Sequence, residues 1–141
     1  MTEADVPDIA ALETGGSRSP AEWVEWNRRS YLEHGFGLWV VETHAGQFVG
    51  DCGLTMQKVD GQWFVESGWH VHHSLRRQGY ASEAATAVRE AARAAGVPHL
   101  IAIIRPHNLA SRAVARSIGM TLEREVEKNG GPALVFGIDL V

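Results

Sequence analysis

The sequence predicts a mixed α/β fold, and three observations carry that prediction. Helix-type and strand-type hydrophobic patterns follow one another in the order α-α-β-β-β-α-β-α-β-β. Turn and cap residues mark the changes: Ser19-Pro20, Asp60-Gly61, Gly96 with Pro98, and Asn129-Gly130-Gly131. At 141 residues, 45% hydrophobic and 21% charged, the chain has the length and composition of one globular domain. No internal repeat or low-complexity linker divides it, so residues 1–141 are read as a single domain.

Each element has a local cause. A first short helix is expected over residues 4–13, followed by the glycine- and serine-rich connection GGSRSP at 15–20. Ser19 and Pro20 suit an N-cap and first helical position, and Trp23, Trp26, Asn27 and Tyr31 then recur at helical spacing. Residues 35–43 and 48–55 read as two strands around the turn His44-Ala45-Gly46-Gln47. Residues 62–73, QWFVESGWHVHH, read as a third strand after Asp60-Gly61. An alanine-rich helix is expected from about Gly79 to Ala95, with Ala81, Ala84, Ala85, Val88, Ala92 and Ala95 as its apolar stripe. Gly96 stops it and Pro98 prevents its continuation. HLIAII at 99–104 is a buried-type strand closed by Pro106, and NLASRAVARSIG forms a helix from Asn108 to Gly119. The remainder reads as a hairpin turning at Asn129-Gly130-Gly131.

The bulk numbers exclude several classes. A net charge of −4 argues against a nucleic-acid surface. Cys52 is the single cysteine, so neither an internal disulfide nor a multi-cysteine zinc site can form, in keeping with a cytoplasmic location. The opening MTEADVPDIAAL is acidic and lacks the basic and apolar regions of a signal peptide. No apolar run reaches the roughly 18 residues of a membrane span.

The chemistry concentrates at HHSLRRQGYASEA, residues 72–84. A glycine loop that enters a helix leaves backbone N–H groups free and adds the helix dipole. An anion fits there; Gly79 allows close approach, and Arg76 and Arg77 add charge at the rim. Two readings stay open on this stretch: a phosphate cradle, or an ordinary solvated helix entrance. Neither GxxxxGK[ST] nor GxGxxG occurs, so a nucleoside-triphosphate loop and a dinucleotide fingerprint are excluded.

With the strand before it, GWHVHHSLRRQGYASEA resembles the acyl-coenzyme A motif [RQ]-x-x-G-x-[GA] of the GNAT superfamily of N-acetyltransferases. The likeness is strongest to the ribosomal-protein-alanine acetyltransferase (RimJ/RimL-like) branch. Arg76, Gly79, Tyr80, Ala81, Ser82, Glu83 and Ala84 match, and His73 stands where proline is usual. A second block, RPHNLASRAVARSIGM, is similar to the branch's P-x-N-x-A-S-x-R motif: Asn108, Ser111, Arg112 and Gly119 match, and Met120 replaces a phenylalanine. AEWVEWNRRSYLEHGFGLWVVE resembles the region before the branch's second strand. Three departures accompany the likeness. The first strand is missing or very short, the connection between the first two helices is short, and Ala115 occupies the position of the family's tyrosine acid.

The resemblance implies a mostly antiparallel central sheet, splayed in its middle, with helices on both faces. It implies acetyl-CoA as cosubstrate and direct transfer of the acetyl group to a primary amine, either a protein N-terminus or a small molecule. Backbone N–H groups from Arg77 through Gln78, Gly79, Tyr80 and Ala81 to Ser82 would hold the pyrophosphate, with Arg76 adding charge. Residues around His70 and Val71 would pair with the pantetheine arm as an added strand would, and a backbone N–H there could polarise the thioester carbonyl. Asn108 would approach the pantetheine, although an asparagine before a helix also serves as an N-cap. Ser111 would lie near the sulfur and stabilise the thiolate; otherwise it is a first-turn helix serine. Glu66 resembles the family's glutamate base, its alternative being an exposed strand glutamate.

Other readings accompany these. His70 and His72 are expected to share one strand face, open to a role as base or pocket lining; no metal is expected. Cys52 has no marked partner base. Glu123, Glu125 and Glu127 alternate and so are expected on one face. The rival function is a non-catalytic acyl-CoA-binding module. No nucleic-acid or membrane partner is expected, and the short N-terminal region raises the hypothesis of a homodimer that completes the sheet or the acceptor site.

Overall fold

The turn Asp60-Gly61 sets the geometry of the sheet. Both residues have positive φ (48° and 81°), the combination of a type I′ hairpin turn whose twist matches the strands it joins. It links β2 (Phe48–Val59) to β3 (Gln62–Val71) in a long antiparallel pair, Val59 opposite Gln62 and Asp51 opposite His70. The computed structural model describes residues 1–14 and 16–141.

Around this pair the sheet has six strands in the order β1-β2-β3-β4-β6-β5. β1 is Leu38–Glu42, β4 His99–Ile104, β5 Thr121–Lys128 and β6 Gly131–Asp139. Every neighbouring pair is antiparallel except β3 and β4, which run parallel and pair at only two positions, Val65 with Leu100 and Glu66 with Ile101. The expected splayed, mostly antiparallel sheet is present, and among the described residues no strand precedes the first helix.

Four helices pack on the sheet. α1 is Val6–Ala10 behind a 3-10 turn at Glu3–Asp5, shorter than the expected 4–13. α2 (Pro20–His34) opens with the capping box in which Ser19 and Glu22 bond each other's backbone N–H. Of the connection at 15–20, Gly15 lies outside the described residues. α3 is Tyr80–Ala94 and α4 Leu109–Ser117. α3 and α4 cover one face, where Ala85, Val88, Ala92, Ala115 and Ile118 pack on Cys52, Leu54, Leu100, Ala102 and Phe136. The small side chains of α3 let the helix lie close to the strands. α1 and α2 cover the other face at the β1–β2 end through Ile9, Leu12, Trp23, Val24 and Leu38. Beyond α2, that face carries a smaller apolar group of Val59, Ile101 and Val135. Among the described residues no helix is long and apolar enough to cross a membrane.

Two expectations change. β2 runs on to Val59 instead of ending at Thr55. β3 ends at Val71, because the His72 ring accepts the Ser74 N–H and turns the chain into a 3-10 segment, His73–Leu75. His72 is therefore past the strand and does not share a strand face with His70.

Candidate active site

A parallel strand pair that stops pairing after two residues leaves backbone groups exposed on both sides of the opening. β3 and β4 part after Glu66 and Ile101, so residues 67–71 of β3 face a gap. The bond from the His72 N–H to the Val49 carbonyl (2.7 Å) sets the phase of the β2–β3 ladder. Antiparallel pairs alternate, so His70 turns its backbone groups towards β2, while Ser67, Trp69 and Val71 present theirs to the gap. The Val71 carbonyl is taken by Arg76 Nε at 3.2 Å. Ser67 is buried, and its hydroxyl has no partner among the described residues. A buried, unsatisfied hydroxyl beside unpaired strand backbone is a place prepared for an extended amide-bearing chain.

Glu66 stands at the apex of the gap. One carboxylate oxygen accepts the backbone N–H of Ile103 at 2.8 Å, and the other lies 3.4 Å from the Thr55 hydroxyl. Burial pushes its pKa up to about 7, against the lowering effect of the Ile103 N–H, His70, Thr55 and Lys128. It is thus a half-buried carboxyl whose surroundings raise its proton affinity towards neutral pH.

On the same face, four residues along β3, His70 Nδ1 lies 2.7 Å from a carboxylate oxygen of Asp51. Asp51 is 1% exposed, and its other oxygen accepts Trp23 Nε1–H at 2.9 Å. A carboxylate only accepts, so in the neutral ring Nδ1 carries the proton and Nε2 keeps its lone pair. No third ligand joins His70 and His72 in a metal-holding group among the described residues.

Both chains leaving the gap lead into helices at the carboxyl end of the parallel pair, where open α/β sheets bind ligands. Beyond β3 the loop has left-handed residues at Arg77 (φ 64°) and Gly79 (φ 84°), and Gly79 is the N-cap of α3. A glycine has no side chain to satisfy the first N–H groups of the helix, so those of Tyr80, Ala81 and Ser82 stay available to an anion. Arg76 and Gln78 are exposed in this loop; Arg76 also pairs with Glu13 at 3.6 Å. Tyr80 is half-buried and lines a narrow crevice with Val41, Trp69 and His70. Beyond β4, Asn108 caps α4 by accepting the Ser111 N–H at 3.1 Å, and Ser111 is half-buried in the first turn. Ala115 is fully buried between the helices and the sheet and carries no acidic group.

The expected residues thus fall on two lips and an apex: Val71 to Ser82 on one lip, Asn108 and Ser111 on the other, Glu66 between. His70 differs in offering its side chain instead of its backbone. Ser67, Trp69, Asp51 and Thr55 were not singled out from the sequence. Asp51 was within reach of it, because the Asp60-Gly61 turn pairs 59 with 62 and therefore 51 with 70. Cys52 is buried and its thiol is pushed up to about 12, first by burial and then by the Asp51 charge, so it is no nucleophile. The three glutamates of β5 do not share a face. A bulge between Leu122 and Arg124 sends Glu123 over Gly137 to His99 Nε2 (3.1 Å), away from Glu125 and Glu127.

Residues 1–121 match the family described as acetyltransferase (GNAT) domain. The uncharacterized protein YkkB of Bacillus subtilis is 34% identical over 136 residues, covering 92% of this chain and 78% of that protein. An acetyltransferase crystal structure from Agrobacterium tumefaciens superposes with a TM-score of 0.83 at 26% identity, covering 98% of this chain and 86% of that one. The phosphinothricin acetyltransferase of Sinorhizobium meliloti, solved in complex with acetyl-CoA, shares the fold at a TM-score of 0.72 and 19% identity, over 96% of this chain and 77% of that one.

Proposed function

The chain belongs to the GNAT acetyltransferase family, and on that premise we propose that it moves an acetyl group from acetyl-CoA directly to a primary amine, with Glu66 as the base. The observation that carries the reading is Glu66 itself: a carboxyl titrating at about 7, at the apex of a gap lined by unpaired strand backbone.

The residues fit acetyl-CoA. Trp69 and Val71 would bond the pantetheine arm through their backbone, and the orphaned Ser67 hydroxyl would gain a partner there. The N–H groups of Tyr80, Ala81 and Ser82 would hold the pyrophosphate, helped by Arg77 and Gln78. Asn108 and Ser111 would close the opposite lip. Acetyl-CoA supplies an acyl carbon activated as a thioester.

An α-amino group has a pKa of about 7.7–8.0, close enough to that of Glu66 for proton transfer to need little driving force. The amine would attack as the free base, its ammonium proton having gone to solvent, and Glu66 would take the second proton as the C–N bond forms and the C–S bond breaks. The Ser111 hydroxyl would stabilise the thiolate that leaves with the electron pair, and solvent would supply its proton. The His70–Asp51 pair faces the same side and orients the approach of the amine.

The experiment is thermal unfolding with acetyl-CoA, CoA, ATP and NAD, followed by thiol release with a panel of amines. Ligand at about 100 times its Kd stabilises by roughly 2.7 kcal/mol, and only the two CoA species are expected to do so. No shift with either overturns the reading. A shift without transfer to any amine replaces it with the acyl-CoA-binding module, which the buried Ala115 in place of a tyrosine acid would favour.

A further inference from the structure

Beyond α2, where β1 no longer pairs with β2 and the β2–β3 hairpin has a free edge, lies an open cleft of about 370 Å³, within the roughly 300–1,000 Å³ of small-molecule sites. Its walls hold Arg18, Lys58 and Lys128 together with Trp26, Trp63 and Gln57. Lys58 and Lys128 are the only lysines in the chain. No aspartate or glutamate lines the cleft, although the protein as a whole carries a net charge of −4.

The cations are held in place by groups that do not neutralise them. The Arg18 guanidinium lies 4.0 Å from the centroid of the Trp26 ring. Lys58 Nζ is 5.9 Å from that of Trp63, and Lys128 Nζ donates to the Lys58 carbonyl at 3.0 Å. A π face or a carbonyl orients a cation and leaves its charge available to a ligand. A guanidinium held over an indole keeps its N–H fork free for a carboxylate or phosphonate.

A chain of hydrogen bonds links the cleft to the base. Gln57 Nε2 donates to the Thr55 hydroxyl at 3.2 Å, and that hydroxyl lies 3.4 Å from the Glu66 carboxylate. Lys128 is close enough for its charge to act on Glu66.

We propose that this cleft is the acceptor subsite, and that the acceptor is a small primary amine carrying an anionic group, a carboxylate or phosphonate, on an apolar body. This rests on the transferase reading above and deepens it by naming the substrate class. The anion meets Arg18, Lys58 and Lys128, the body lies against Trp26 and Trp63, and the amine points along Gln57 and Thr55 to Glu66. The same cations repel an ammonium, so polyamines and lysine side chains are disfavoured, and the bound amine sheds its proton more readily.

The test is steady-state thiol release with phenylalanine, phenylalaninamide, aminoethylphosphonate, putrescine and an Ala-Arg dipeptide. A charge-assisted hydrogen bond is worth about 1.5–3 kcal/mol, so kcat/KM for phenylalanine should exceed that for its amide at least about tenfold. In Lys58→Met/Lys128→Met this ratio should fall about tenfold, while a circular-dichroism spectrum confirms folding. Tryptophan fluorescence titrated with N-acetylphenylalanine gives an independent readout; binding should weaken by a similar factor in the double variant. If the amide, putrescine or the dipeptide is acetylated as well as phenylalanine, or if the double variant keeps the ratio, this inference falls and the transferase stands. If no amine accepts the acetyl group while acetyl-CoA binds, the transferase reading falls and takes this inference with it.

Discussion

The carboxylate of Glu66 accepts the backbone N–H of Ile103, 37 residues further along the chain, at 2.8 Å. This bond stands where the β3–β4 ladder has just ended, so the side chain takes an N–H that strand pairing has left over. It also encloses a carboxyl at a point where both strands turn their backbone to the gap.

The first consequence is a pH profile. Only the ionised carboxylate takes a proton, so kcat/KM should rise with pH through about 7, the pKa of the free enzyme. Glu66→Gln keeps the bond to Ile103 through its amide oxygen but cannot act as a base. It should lower kcat/KM about 100-fold and remove the acidic limb, while the thermal shift with acetyl-CoA persists. An unchanged limb in the variant would assign the base elsewhere, His70 being the next group to replace.

The same pKa has a cost in stability. The folded value of about 7 lies above the ordinary 4.5, so the folded state binds the proton more tightly than the unfolded chain. The resulting stabilisation is present below pH 4.5 and is lost as pH rises through about 7, a loss of roughly 3 kcal/mol. Glu66→Gln does not titrate and should be more stable than the native protein at pH 8 and similar at pH 4. Denaturant unfolding at the two pH values reads this; a variant that is less stable at pH 8 contradicts the enclosed-carboxyl account.

At Gly79 the constraint is conformation, not space. Nothing lies within 4 Å of a Cβ built there, but φ is +84°. A left-handed L-residue costs roughly 1–2 kcal/mol. Gly79→Val should fold with a lowered Tm and lose the acetyl-CoA shift, because its side chain stands over the N–H groups of α3. Retention of the full shift would move the pyrophosphate site away from this loop.

Asp51 holds two side chains at once, Trp23 and His70. Asp51→Ala leaves the buried Trp23 N–H without an acceptor and should cost about 2–3 kcal/mol in denaturant unfolding. Asp51→Asn is milder, but its amide N–H₂ facing His70 should move the ring proton from Nδ1 to Nε2. Nitrogen chemical shifts report the tautomer directly, and an unchanged shift would show that Asp51 does not orient the ring.

Cys52→Ala should keep transfer intact, and a thiol reagent at pH 8 should leave the native Cys52 unmodified, since the buried thiol titrates only near 12. Loss of transfer in this variant would reopen an acyl-enzyme route.

Local features were legible in the sequence because their causes act over a few residues. The Ser19–Glu22 capping box, the Asn108 cap, the Gly96 stop and the Asp60-Gly61 turn each depend on neighbours within about four positions. Boundaries slipped where a distant partner or a side chain intervened. β2 extends to Val59 because β3 is there to pair with it, and β3 stops at Val71 because the His72 ring caps the next turn.

The sequence by itself determined the order of elements and the loop that enters α3, since periodicity, caps and motif spacing are written along the chain, and its resemblance to the family made Glu66 a candidate. Tertiary structure alone decided which backbone groups lack partners, why Glu66 titrates near neutrality, and that Arg18, Lys58 and Lys128 share one cleft. The physical reason is that desolvation and charge are summed over everything nearby in space, and the strand splay and the cleft bring together residues far apart in sequence.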